Sequence, residues 1–248
     1  WGYHVYDQRF MKTILLTGAG GGVAKAIIPK LLDFGYKLLL TTKSSADELR
    51  EYLKEQQLQA KVFRADLTDD GDVVALKEWA AHQGGVDILI NNAGTAHAAA
   101  AWKLDSKEMH KLFEVNFFSA VRTTQAFLGD MRHRGFGRVI NISSVVAHKP
   151  SFGTSGYAAS KSALEGYMRG VALDCASKGV TANTIAYGYM DAGMLFDVPK
   201  DMLDEVLTTI PAGVFGAPEQ IANYIDMLVQ SPFTTGQTLH VNGGQWMP

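Results

Sequence analysis

The apolar run Ile14-Leu15-Leu16 is followed without a break by Thr17-Gly18-Ala19-Gly20-Gly21-Gly22-Val23-Ala24, and a helical pattern then runs over residues 23–34. Glycines allow a tight turn and let bare backbone N–H groups approach an anion, while a helix N-terminus adds partial positive charge at the same point. A glycine-rich turn alone is a weak signal, but between a strand and a helix it reads as a pyrophosphate-binding element. Its candidate contacts are Gly18, Gly20, Gly21, Gly22 and Val23.

Outward from this turn the pattern repeats. Short apolar runs occur at Leu38-Leu39-Leu40, Val62-Phe63, Ile88-Leu89-Ile90, Val139-Ile140-Asn141-Ile142, Thr184-Ile185 and Leu239-His240-Val241. With the first run they make seven strands. They are nearly continuous in apolar character and separated by helical patterns, which fits a parallel sheet buried on both faces. Helices are predicted over 23–34, 47–56, 73–82, 107–131, 157–177 and 218–229. Pro29 lies inside the first and is expected to distort it. Ser45 to Glu48 has the spacing of a capping box, which starts the second helix. The fold class is α/β, a Rossmann-type doubly wound parallel sheet with helices on both faces. No Pro- or Ser-rich linker, charge block or repeat divides the chain, so residues 11–248 read as a single domain. Residues 1–10 precede Met11 and read as an N-terminal extension or tag without the pattern of a secretory signal.

The 248 residues are 47% hydrophobic and 19% charged, with a formal charge of −2, so no basic footprint points to nucleic acid or an anionic membrane. No apolar run approaches the roughly 20 residues needed to span a bilayer. The one cysteine, Cys175, forbids an internal disulfide and suits a reducing compartment, so a cytoplasmic location is expected. No His or Cys grouping has metal-ligand spacing, and no metal is expected.

Ligands of such sheets bind beyond the carboxyl ends of the strands. After the second strand stand Thr41-Thr42-Lys43-Ser44. A carboxylate there would accept ribose hydroxyls, whereas a cation and hydroxyls accommodate a 2′-phosphate. Thr42 and Lys43 therefore favour NADP(H) over NAD(H). Asp66, with Leu67 beside it, follows the third strand and is a candidate adenine contact. Further along, Tyr157 and Lys161 lie four apart and share a helix face. A nearby ammonium favours the phenolate and lowers a tyrosine pKa, by roughly 1 to 3 units for a close pair, which would make Tyr157 a matched proton donor.

In combination, these motifs resemble the short-chain dehydrogenase/reductase family, most closely its 3-oxoacyl carrier-protein reductase type. They are Thr-Gly-x-x-x-Gly-x at 17–23, Asn-Asn-Ala-Gly at 91–94, Asn116, Ser143-Ser144, and Tyr157-Ala158-Ala159-Ser160-Lys161. Ile210-Pro211-Ala212-Gly213, Pro218-Glu219-Gln220-Ile221-Ala222 and Thr235 to Gly244 match the same type, so the resemblance covers about residue 11 to the end. It implies that Ser144 bonds the substrate oxygen and that Tyr157 supplies the proton. It also implies that Lys161 lowers the tyrosine pKa and holds the nicotinamide ribose, and that Asn116 keeps a water in the proton relay. Asn92, Ala93, Gly94 and Gly188 would border the cofactor. Ser143 competes with Ser144, although spacing favours the latter. Family members pair through the helices carrying Asn116 and Tyr157, as homotetramers or homodimers.

Four positions depart from the family pattern. Ala24 replaces the last glycine of the turn, and Gly21 an arginine that often serves the 2′-phosphate. Tyr187-Gly188 stands for Pro-Gly after the sixth strand, and Ala192 for the threonine that contacts the nicotinamide carboxamide. The segment 190–210, with Met194, Leu195, Phe196 and Met202, corresponds to a substrate lid. His97 and His148 sit on the substrate side of the strands. The reading is an NADP(H)-dependent reductase of ketones, aldehydes or 3-oxoacyl thioesters. Its alternatives are an NAD-dependent alcohol or sugar dehydrogenase and a non-catalytic dinucleotide-binding homologue.

Overall fold

In the computed structural model, residues 11–193, 195 and 200–248 are described, the side chains of 201 and 202 excepted. The opening apolar run forms β1 (Thr13–Thr17), buried throughout, and α1 (Gly22–Asp33) leaves the glycine turn. There follow β2 (Lys37–Thr42), α2 (Ala46–Glu55), β3 (Ala60–Arg64), α3 (Asp70–His82) and β4 (Ile88–Asn91). Next come α4 (Ser106–Phe113), a π-helical segment (Glu114–Phe118), α5 (Ser119–Arg134) and β5 (Gly137–Ser144). The chain continues through α6 (Ser155–Cys175), β6 (Val180–Tyr187), α7 (Lys200–Thr208), α8 (Glu219–Gln230) and β7 (Thr238–Val241).

All seven predicted strands are present, in one parallel sheet of order β3-β2-β1-β4-β5-β6-β7. Successive strand residues point to opposite faces, and here both faces are apolar. Ile14, Leu16, Leu38 and Leu40 join Ile27 of α1, Leu49 of α2 and Ile225 of α8 in one core. Leu15, Leu39 and Leu89 join Leu76 of α3, Phe127 of α5 and Met168 of α6 in the other. This is why the runs read as continuous rather than alternating. The strand order reverses at β1 and β4, so a crevice opens beyond their carboxyl ends.

Two local expectations, at Ser45 and over 107–131, are corrected, whereas the first helix is kept: α1 runs through Pro29 as one helix. The Lys25 carbonyl, which the missing N–H of residue 29 leaves open, accepts the Tyr52 hydroxyl at 3.1 Å. Ser45 is the N-cap of α2, but its side chain caps no N–H and instead pairs with the Thr42 hydroxyl at 2.9 Å. The single helix expected over 107–131 is two helices joined by the π-helical segment, which contains Asn116. Residues 1–10, Met194 and Phe196 lie outside the described residues, as does the side chain of Met202. No helix among the described residues is long and apolar enough to cross a membrane.

Candidate active site

The glycine turn and the end of β4 are one unit. The Thr17 hydroxyl accepts the N–H groups of Asn92 at 3.0 Å and Ala93 at 3.1 Å. Asn92 donates its side-chain amide to the carbonyls of Thr17 and Gly18, at 3.0 and 3.2 Å. Gly18 has φ +62°, and a Cβ there would stand 2.6 Å from the Ala93 Cα, so only glycine lets the two loops close. At Gly22 a Cβ would meet the Gly193 Cα at 2.5 Å, which places the segment after β6 directly over the start of α1. Gly21, the N-cap, offers no side-chain cap, so the first turn of α1 keeps its N–H donors for another acceptor.

At the tip of β2 the Lys43 ammonium pairs with the Asp66 carboxylate at 2.6 Å. Burial alone would raise the Asp66 pKa, but Lys43 and two hydrogen bonds from Thr68 outweigh it and hold the carboxyl below its usual range. Arg64, at the end of β3 and part of no motif, donates to the Lys43 carbonyl at 3.0 Å and brings a second cation to this tip. The side chain of Leu67 is buried in the core cluster that includes Leu39 and Leu76.

Ser143 and Ser144 end β5 on opposite faces. Ser143 donates to the buried Glu165 carboxylate at 2.8 Å, which removes it from competition for the substrate. Ser144 lines a cavity of about 310 Å³ together with Tyr157, Tyr187, Gly188 and the apolar side chains of Val145, Met190 and Leu195. Tyr157 stands in the first turn of α6, and Lys161 follows one turn later. Burial pushes the Tyr157 phenol up to about 12, partly offset by its hydrogen bond with Ser144. Burial likewise pushes Lys161 down to about 8. The expected depression of the tyrosine by the lysine is thus absent. The ammonium bonds the Ile142 carbonyl at 2.9 Å and lies 5.9 Å from the centre of the Tyr157 ring, so desolvation prevails.

Asn116 is fully buried. Its side chain accepts the Thr95 N–H at 2.7 Å and donates to the Thr95 carbonyl and the Ser160 hydroxyl, both at 2.9 Å. The π-helical turn around it is the wider backbone that this engagement accompanies. A Cβ on Gly94 would lie 3.3 Å from Asn116 Oδ1 and 3.4 Å from Lys161 Nζ. Gly94, Asn116 and Lys161 therefore converge behind Tyr157. The two histidines on the substrate side do not line the cavity. His97 pairs with Glu108 at 3.8 Å, and His148 bonds Glu165 and stacks on Trp246.

A model of the short chain dehydrogenase family matches residues 12–203. The chain belongs to that family. Across 241 residues it is 34% identical to the 3-oxoacyl-(acyl-carrier-protein) reductase FabG of Vibrio cholerae, covering 95% of this chain and 98% of the relative. The corresponding reductase of Escherichia coli K12 is 33% identical with the same coverage. The acetoacetyl-CoA reductase of Cupriavidus necator is 32% identical over 238 residues, 94% of this chain and 97% of that one. As a short-chain dehydrogenase the chain is an oxidoreductase that uses a nicotinamide dinucleotide. The donor set fits that group: an uncapped helix N-terminus, a turn held open by Gly18, and cations at the tip of β2. Arg64 and Glu165, to which the sequence drew no attention, act through partners distant in the chain and carry no motif, and Ser160, inside the Tyr157 to Lys161 motif, had no role assigned to it.

Proposed function

We propose that this chain is an NADP(H)-dependent carbonyl reductase acting on 3-oxoacyl thioesters, with Ser144, Tyr157 and Lys161 as its reacting group and Asn116 in support. The observation that carries the reading is the Ser144–Tyr157 hydroxyl pair facing an apolar cavity with a buried lysine behind it. When bound, the dinucleotide supplies the hydride. The turn of Gly18 to Val23 and the first turn of α1 hold its pyrophosphate, while Asn92, Ala93, Gly94 and Gly188 border it. Ser144 donates to the carbonyl oxygen where negative charge develops. Tyr157, protonated at neutral pH because burial raises it, is in the state needed to give that oxygen its proton. Lys161 and Asn116 hold the route by which the phenol regains it. The near-identical coverage of the 3-oxoacyl and acetoacetyl reductases supports the thioester substrate.

Lys43, Thr42 and Arg64 at the β2 tip support a 2′-phosphate; the Lys43–Asp66 pair favours the alternative, NAD(H), because it already engages the cation. We place the protein in the cytoplasm as a homotetramer or homodimer, joined through α5 and α6, where the exposed Phe118 and Leu173 lie at or beside the helices. Tyr157→Phe should bind NADPH as the wild type does in a fluorescence titration and lose turnover of acetoacetyl-CoA by about 10²- to 10⁴-fold. Retained turnover sinks the catalytic assignment, and a clear preference for NADH sinks the cofactor assignment.

A further inference from the structure

Tyr187 ends β6 where the family pattern has a proline, and its partner across the β5–β6 ladder is Ser144. In a parallel pair such residues leave neighbouring strands on the same side, so the Tyr187 ring stands beside the serine and shares its cavity with Tyr157. The ring packs on the core. Its hydroxyl makes no hydrogen bond among the described residues. Burial first, and then the closeness of Tyr157, push its pKa above that of an ordinary phenol, so it stays an O–H donor and is no second acid.

Of the other hydroxyls lining the cavity, that of Ser151 belongs to an exposed residue of the turn before α6. Ser144 engages Tyr157 and the Val146 N–H, and Thr154 donates to the Ser151 carbonyl at 2.7 Å. Tyr189 lies beyond the end of the strand, and burial alone perturbs it. A carbonyl oxygen has two lone pairs, and the oxygen undergoing reduction receives both Ser144 and Tyr157. A third donor beside them needs a different acceptor. In an apolar cavity, leaving it without one is costly.

We propose that Tyr187 is a specificity-determining residue that donates to the second oxygen of a 1,3-dicarbonyl substrate, the thioester carbonyl, while Ser144 and Tyr157 take the oxygen that is reduced. This rests on the reductase reading above. It makes the tyrosine in place of proline a selector for 3-oxoacyl thioesters over monoketones, which offer no second acceptor.

The experiment is steady-state reduction of acetoacetyl-CoA with NADPH by wild type, Tyr187→Phe and Tyr187→Met, with a thermal melt of each and a titration of NADPH. Loss of one neutral hydrogen bond should raise KM for acetoacetyl-CoA about 3- to 10-fold in the phenylalanine variant, with kcat within about twofold and NADPH affinity unchanged. The methionine variant, also without a hydroxyl, repeats the KM effect and serves if the first does not fold. Unchanged KM overturns the proposal, as does a fall in kcat alone or a parallel loss of NADPH affinity. A wild type that reduces monoketones but not acetoacetyl-CoA also overturns it, together with the thioester substrate, while leaving the carbonyl-reductase chemistry intact. A wild type that reduces neither brings down the reductase reading itself.

Discussion

A buried lysine four residues after a half-buried tyrosine meets desolvation with opposite effect: Lys161 is pushed down to about 8 and Tyr157 up to about 12. The lysine has a consequence for stability. Between about 8 in the folded chain and its ordinary 10.5, the unfolded chain holds a proton that the folded chain has released. The stability residue 161 contributes is therefore full above 10.5 and is lost as pH falls toward 8. Lys161→Met removes this titration and leaves that of Tyr157 in place. The Tm of the wild type minus that of the variant should rise between about pH 7.5 and 9.5, at about 2–4 °C for each kcal/mol in a chain of this size. A flat difference, read by differential scanning calorimetry, would mean that the ammonium is not desolvated. At this scale the sequence was informative wherever a residue's chemistry is rare. A Tyr-x-x-x-Lys pair and a serine at fixed distance declare themselves. Spacing also favoured Ser144 over Ser143, but what engages Ser143 instead, the Glu165 carboxylate on another element, left no mark in the pattern.

Elements were legible to the extent that burial wrote them in apolar residues. All seven strands were found because both faces of the sheet are covered, but the π-helical segment was invisible, since one widened turn hardly alters an apolar stripe. α1 shows how a local rule can be overridden from outside the element. Proline in a helix interior removes a hydrogen bond and crowds the carbonyl of the residue four before it. Tyr52 of α2 supplies the missing donor to Lys25, and α1 continues to Asp33. Tyr52→Phe should accordingly cost about 1 kcal/mol in urea denaturation, because it leaves that carbonyl unpaired. In a Pro29→Ala background, where residue 29 regains its N–H, the same substitution should cost measurably less. The double-mutant cycle then shows a coupling of about 0.5–1 kcal/mol, and strict additivity would mean that the hydroxyl and the proline are unrelated.

Across the whole molecule, the sheet order and the crevice at β1 and β4 follow from the alternation of strands and helices, and were legible for that reason. The tie between the last strand and the catalytic helix was not. Glu165 on α6 accepts from Ser143 of β5 and His148, and His148 stacks on Trp246, their ring centres 4.3 Å apart. His240 of β7 meets the same indole at 4.4 Å, so residues far apart in sequence close one half-buried knot with no periodicity to announce it. The His240 Nδ1 is buried without a partner among the described residues. Burial, and after it the nearness of His148, hold its pKa below the ordinary 6.5, while Glu165 pulls the other way without prevailing. A base depressed on folding takes up its proton more readily when unfolded, so its stabilising contribution is present above 6.5 and is lost as pH falls through the folded value. His240→Gln has no such titration. Between about pH 7.5 and 5 the wild type should lose more Tm than the variant, the gap growing by about 2–4 °C for each kcal/mol of linkage. Parallel Tm curves would show that protonated imidazole is accommodated in the knot without cost.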